Sequence, residues 1–311
     1  MSPFDDHESP YGRGECNDKE FVMPQPAFNT KTWMSHILDV GRLKLTDIVW
    51  PGSHNCGMDK KAPGYDPVLG NWTACQNDSF AAQLAAGARA LDIRLGFNSG
   101  TTASAFYFHH NGFKFNRTFN ELIDAVNAFL DQNPDEFILL DFHHLGDGDK
   151  LFDYARFHDV LIQGLGQRLI ASTQAPLTVQ QLKQASSKRR VIAAVPARRE
   201  LDDDIYWPRI PHKWQGSSFP NAEDLSRHIT TQLAKAPYSF LWSLSVTGYT
   251  PLFGPSHLEE QINQWFHASL GLINRCSIIN IDFFEESQIV RNCWVACSEN
   301  AVHGASLFEP A

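Results

Sequence analysis

A chain of 311 residues, 43% hydrophobic and 20% charged, has enough apolar material for one large α/β domain. Its formal net charge of −9 supplies no basic field for a nucleic-acid backbone, nor a polybasic patch for an anionic membrane. No uninterrupted apolar run approaches the roughly 20 residues of a membrane-spanning helix, so a soluble chain is expected.

Residues 1–29 are rich in Pro, Gly, Ser and acids and read as an irregular arm. They lack the basic-then-apolar pattern of a signal peptide, which implies a cytoplasmic protein or export by a signal-independent route. Residues 30–311 read as a single domain. Lys31 to Leu38 has helical spacing. Leu45 to Trp50 is apolar with β-branched Ile48 and Val49, and reads as a buried strand stopped by Pro51-Gly52. His54 follows on the turn. After a Gly/Pro-punctuated excursion (Cys56 to Ser79), Ala88 to Leu95 reads as a second strand with Asp92 and Arg94 on one face. Ala105 to His110 reads as a third, ended by Asn111-Gly112.

Thr118 to Gln132 is expected to be a helix, with Thr118 as N-cap and Glu121 three residues on. Glu136 to His144 reads as a fourth strand with a polar exit at Asp141, His143 and His144. Helical stretches follow at about Leu151–Leu169 and Thr178–Ala185, and Val191 to Val195 reads as a strand. Asp202 to Pro220 is irregular and aromatic. Ala222 to Leu233 and Leu258 to Leu270 read as helices, and Ser239 to Val246 as a strand. Ser277 to Phe284 is the last strand, with Asp282 near its exit, and Glu286 to Ser298 closes the chain as a helix. Strands alternating with helices predict a parallel sheet closed into a barrel, whose chemistry lies at the strands' carboxyl ends. Six scattered cysteines are too few for a disulfide scaffold; Cys293 and Cys297 lack a second pair for a zinc site and read as buried thiols. Three acceptor-like motifs at Asn71, Asn77 and Asn116 read as chance.

Two histidines, an arginine and an aspartate at strand exits suit the cleavage of a phosphodiester by an internal hydroxyl. That reaction needs a base, an acid for the leaving alkoxide, and a fixed cation on the non-bridging oxygens. Histidine serves both proton roles, arginine offers planar donors to phosphate, and a carboxylate behind the base fixes its tautomer. His54, His110, Arg94 and Asp282 fill these roles.

The chain resembles the bacterial-type phosphatidylinositol-specific phospholipases C, of the phospholipase C X-domain superfamily of PLC-like phosphodiesterases. The resemblance rests on Trp33-Met34 followed by Pro51 to Gly57, on Gln83 to Arg94, and on Phe108-His109-His110 with Gly112. It continues in Glu136 to Asp141, Tyr206 to Pro208 and Ile279 to Asp282. These keep family order over most of residues 33 to 290, and match only loosely from about 170 to 275. The resemblance implies an α/β fold, a distorted TIM-type (β/α) barrel with parallel strands. It assigns His54 as general base toward the inositol 2-hydroxyl and His110 as general acid toward the diacylglycerol oxygen. Arg94 becomes the phosphate-binding residue, Asp282 the carboxylate behind the base, and Asp92 part of the acid's hydrogen-bond network. The implied product is a cyclic inositol 1,2-phosphate, and the implied partner a phospholipid at a membrane surface, met by a monomer.

The sequence departs from the family at Asn55. Metal-free members have an aspartate there that assists the acid, while calcium-dependent members have an asparagine ligand but a carboxylate in the place of Arg94. A guanidinium repels a cation, so no cofactor is expected, with Ca2+ through Asn55 left open. His109 competes with His110 as acid, and alternation along the strand lets only one of them point inward. His143 stands where the family has a basic residue near the inositol, and reads equally as a headgroup contact or a structural residue. Trp207, Trp214, Tyr249, Leu252 and Phe253 fall in loops that could ring the mouth, with Trp214 placed among the substrate contacts. The rival readings are a metal-dependent barrel phosphodiesterase and a non-catalytic lipid-binding member.

Overall fold

In chain order, β1 (Trp50–Ser53) leads to α1 (Phe80–Ala86), β2 (Ala90–Phe97), a hairpin of β3 (Phe106–His110) and β4 (Phe113–Thr118), and α2 (Phe119–Gln132). Then come β5 (Ile138–Leu145), α3 (Tyr154–Leu165), α4 (Val179–Ala185), β6 (Val191–Val195), β7 (Trp207–Pro208), β8 (His212–Lys213) and α5 (Ala222–Lys235). The chain continues through β9 (Ser243–Val246), a small hairpin of β10 (Tyr249–Thr250) and β11 (Gly254–Pro255), α6 (Glu259–Trp265), β12 (Ile278–Ile281) and α7 (Ile289–His303). This computed structural model describes residues 28–303 apart from 69, 100–104, 111 and 237. All of the arm except Phe28 and Asn29 lies outside the described residues, as do Cys16 and Asn111.

Eight strands form a curled sheet in the order β7-β6-β5-β2-β1-β12-β9-β8, every neighbouring pair parallel. This is the distorted parallel barrel of the TIM type. Among the described residues, β7 and β8 do not pair with each other, so the wall has a seam. The apolar runs of β5 and β6 reflect strands covered on both faces, as parallel sheets require. Helix α2 begins at a capping box: Thr118 Oγ1 accepts from the Glu121 N–H (3.2 Å) and Glu121 returns a carboxylate oxygen to the Thr118 N–H (2.6 Å). Its buried face (Leu122, Val126, Phe129, Leu130) packs on the barrel.

Several expectations shift. Leu45–Asp47 is a single 3-10 turn, and β1 starts at Trp50 and runs through Pro51-Gly52 instead of stopping there. Proline is tolerated at the opening residues of a strand, where its carbonyl still accepts from the Arg89 N–H at 3.0 Å. Gly52 is required by close approach: a Cβ there would lie 2.9 Å from Ile278 Cγ2. The helix expected over Lys31–Leu38 is two 3-10 turns, Thr30–Thr32 and Met34–His36. That over Leu258–Leu270 ends at Trp265, before a separate turn at Ala268–Leu270.

The expectation that the third strand runs parallel with its neighbours is overturned. Strand β2 overshoots the barrel, and β3 folds back antiparallel on it, with Leu95 opposite Phe108 and Phe97 opposite Phe106. The return carries His109 and His110 back down toward the rim, level with the stretch around Arg94. Gly57, on the loop after β1, makes room for this hairpin: a Cβ there would lie 2.0 Å from the Phe108 ring.

Beneath the sheet, the Arg89 and Glu136 side chains are fully buried and paired, with Nη2 2.8 Å and Nε 3.0 Å from Glu136 Oε2. Arg89 also donates to the carbonyls of Thr30, Lys31, Leu84 and Ala88. Glu136 accepts from the Met34 and Ser35 N–H groups. One ion pair thus ties the first turns of the described chain to β2 and to the segment entering β5.

Candidate active site

His54 sits on the turn after β1, its backbone N–H held by the Ile281 carbonyl at 2.9 Å. Its ring lies between two partners: Nδ1 is 2.7 Å from Asp282 Oδ1, and Nε2 is 2.9 Å from Arg94 Nη2. A guanidinium only donates, so Nε2 carries the lone pair and Nδ1 the proton given to Asp282. This fixes a neutral imidazole in one tautomer.

Arg94 also donates to Asp92 Oδ2 at 3.1 Å, an oxygen that accepts from the Asn55 N–H (3.2 Å) and Asn280 Nδ2 (3.3 Å) as well. Burial works against the charge on Asp92, but the Arg94 guanidinium chiefly outweighs it and holds the carboxyl well below its usual range. Asp92 Oδ1, Arg94 Nε and both polar atoms of the Asn55 side chain are buried without a partner. Asn55 directly follows His54 and Phe283 directly follows Asp282. Both adopt φ of +46°, two of three non-glycine residues with positive φ among those described. Strained backbone of this kind gathers where a site over-determines its geometry.

A cavity of about 710 Å³ opens over this group, lined by His54, Arg94, His110, His143, His212, Trp214 and Asp282 among others. The His110 ring stands edge-on to His54 with centroids 6.0 Å apart. Burial first, then the positive charge of Arg94, push its pKa down to about 3. The structure does not bring His109 to the cavity. It is buried on the opposite face of β3, 3.8 Å from Asp147 and edge-on to His144, as strand alternation dictates once His110 faces inward.

On the far wall, His143 stacks on His212 with centroids 3.7 Å apart, and His212 Nε2 lies 2.6 Å from Asp141 Oδ2. Burial opposes a charge on His212, but Asp141 raises its pKa, while burial raises that of Asp141. Burial holds the stacked His143 neutral, down to about 3. His212 is the site residue that sequence reasoning missed, because a two-residue strand leaves no periodicity to read. Gln76 was also invisible: its amide donates to the carbonyls of His54 (2.8 Å) and Ile281 (3.1 Å) and accepts from the Phe284 N–H, clamping the turns after β1 and β12.

Trp214, Phe219 and Tyr249 line the mouth of the cavity. Leu252 and Phe253, 73% and 77% exposed, lie in the β10–β11 turn beside it. Trp207 instead is buried under the seam, its indole N–H donating to the Ile170 carbonyl at 2.9 Å.

No protein-family model matches the chain. It is 28% identical over 232 residues to the variant-surface-glycoprotein phospholipase C of Trypanosoma cruzi, covering 65% of this chain and 59% of that protein. It is 26% identical over 298 residues to PI-PLC X domain-containing protein 3 of Danio rerio, covering 83% of this chain and 90% of that one. The match to mouse PI-PLC X domain-containing protein 2 is 31% identical but spans 38% of that protein. The chain thus covers less than two thirds of the trypanosomal and mouse relatives. Among solved structures, the phosphatidylinositol-specific phospholipase C of Listeria monocytogenes superposes with a TM-score of 0.63 at 19% identity, covering 86% of this chain and 98% of that one; it shares the barrel. The barrel and the matched sequences together make the chain similar to the phosphatidylinositol-specific phospholipase C-like, X-domain proteins.

Proposed function

We propose that the protein is a phospholipase C-type phosphodiesterase that cleaves phosphatidylinositol, or a glycosylated relative of it, without a metal ion. The observation that carries this reading is the neutral His54 imidazole, oriented by Asp282 and capped by Arg94, with His110 across the same cavity. In the resting site Arg94 spends a donor on His54 Nε2. A docked phosphodiester offers that guanidinium an anionic acceptor, so binding uncovers the lone pair it will need. The inositol 2-hydroxyl loses its proton to Nε2 as its oxygen attacks phosphorus, and Asp282 steadies the imidazolium. His110 gives its proton to the diacylglycerol oxygen as the P–O bond breaks, leaving a cyclic inositol 1,2-phosphate. His143 and the Asp141-held His212 would face the headgroup, and the apolar residues about the mouth would meet the lipid surface of a net acidic protein.

His110 needs a proton for this role. In the free protein burial denies it one, and a bound phosphate anion beside Arg94 restores the balance toward the imidazolium. By ¹⁵N NMR, His110 should stay neutral from pH 8 down to about pH 4 in the free protein, titrating near the value of about 3 set by its surroundings. A non-hydrolysable phosphodiester should move the midpoint upward. A midpoint near 6.5 without ligand would contradict this account.

The donor set supports a metal-free reaction. Calcium takes six to eight oxygens, whereas around Asn55 the uncommitted buried oxygens among the described residues are Asn55 Oδ1 and Asp92 Oδ1, with the Arg94 cation 3.1 Å from Oδ2 of the same Asp92 carboxylate. The test is incubation with phosphatidylinositol vesicles in EDTA, followed by ³¹P NMR. A cyclic phosphodiester signal is expected. Turnover only with calcium would overturn the role of Arg94, and silence under both conditions across several phospholipids would favour a non-catalytic lipid-binding member.

A further inference from the structure

Cys75 lies behind the proposed base and has no part in the steps above. It is fully buried, its sulfur 3.5 Å from the Thr73 carbonyl and 3.8 Å from His110 Nδ1. One ring nitrogen of His54, the Cys75 sulfur and one Asp282 oxygen all lie within 4.8 Å of one another, and all three residues are buried. We propose that His54, Cys75 and Asp282 form a binding site for a thiophilic divalent metal, zinc above all, and that its entry switches the site off. The switching half of this inference rests on the function proposed above; the binding half does not.

The donors suit zinc. A thiolate, an imidazole and a carboxylate are its ordinary ligands, at about 2.0 to 2.3 Å, which sets neighbouring sulfur and nitrogen ligands about 3.6 Å apart. These three protein donors leave the fourth position of a tetrahedral zinc to solvent. Calcium and magnesium, which prefer oxygen, are excluded by the sulfur and the ring nitrogens. Charge also balances: a divalent cation, a thiolate and the Asp282 carboxylate sum to zero, and the Arg94 guanidinium beside His54 is offset by Asp92.

The proton balance explains the block. The thiol proton leaves to solvent as the metal–sulfur bond forms, and no redox change occurs. The His54 nitrogen that faces Asp282 is Nδ1, so metal binding there moves the ring proton to Nε2. Nε2 then has no lone pair for the substrate hydroxyl, and Arg94 loses the acceptor it holds in the resting site.

The test is titration of the reduced protein with Co²⁺, then competition by Zn²⁺, with turnover followed in parallel. The wild type is expected to show a thiolate-to-cobalt charge-transfer band, to release about one proton per metal, and to lose turnover in step with zinc occupancy. Cys75→Ala should abolish the band and weaken zinc binding by about 100-fold or more, whereas Cys276→Ser, at a buried thiol elsewhere, should keep both. If Cys75→Ala misfolds by circular dichroism, His54→Gln must also weaken metal binding while keeping a thiolate band. No band in the wild type, or a band that survives Cys75→Ala in a folded protein, would overturn the site. A band in a protein that turns over no phospholipid would keep the metal site and remove the function proposed above.

Discussion

Arg94→Met should lower kcat/KM on phosphatidylinositol by about 10³-fold, the cost of losing a pre-aimed donor on developing phosphate charge. The guanidinium has two tasks with opposite consequences. In the resting protein it occupies His54 Nε2 at 2.9 Å, so its removal frees the base; in the transition state it would hold the phosphate. Were the cap its main role, the substitution would raise activity. His54→Ala should lose about 10²- to 10⁴-fold as a proton acceptor disappears, and the double variant should lose far less than the product of the two, because the residues act as one unit. Steady-state kinetics on the three variants decides this. Strictly multiplicative losses, or an Arg94 variant within threefold of wild type, would rule out the shared role.

The second large effect falls far from the cavity. Arg89→Met should destabilise the fold by about 3 to 5 kcal/mol, because it leaves Glu136 as an uncompensated charge in a fully buried position. In a chain of this size that is roughly a 5 to 8 °C drop in Tm. The arginine also satisfies four carbonyls and lies over the Phe129 ring at 4.5 Å, so the loss has several components. Adding Glu136→Leu to the same protein should recover part of the stability, as the buried charge goes with its partner. Differential scanning calorimetry on the two variants tests this. A Tm within 2 °C of wild type for Arg89→Met would mean that water reaches Glu136.

Much of this was legible in the sequence, for identifiable reasons. Helix α2 carries its cap, its apolar face and its Asn-Pro stop within one stretch, so local chemistry alone defines it. Strands β5 and β6 are long enough for burial on both faces to appear as unbroken apolar runs. The residues that meet at His54 could be named because Asp282 follows directly on an apolar strand and Arg94 lies near the expected end of another. Strand β1 was misjudged because Pro51-Gly52 reads locally as a stop. What overrides it is the close contact with β12, which favours glycine and is invisible in one dimension. Alternation said that His109 and His110 point opposite ways. Which faces inward depends on a hairpin folding back along β2, a tertiary fact. His212 and Gln76 had no signal: one sits on a strand of two residues, the other in a loop whose partners are 22 and 205 residues away.

Among the described residues, the seam between β7 and β8 leaves the eight-stranded wall with two free edges. Each is two residues long, with Pro208 inside one and Pro211 immediately before the other. An incoming strand would find only one or two backbone groups to bond on either edge, and proline withholds a donor at both. The wall can therefore stay open without templating self-association, and resistance to aggregation at this opening comes from the brevity of its margins rather than from closure.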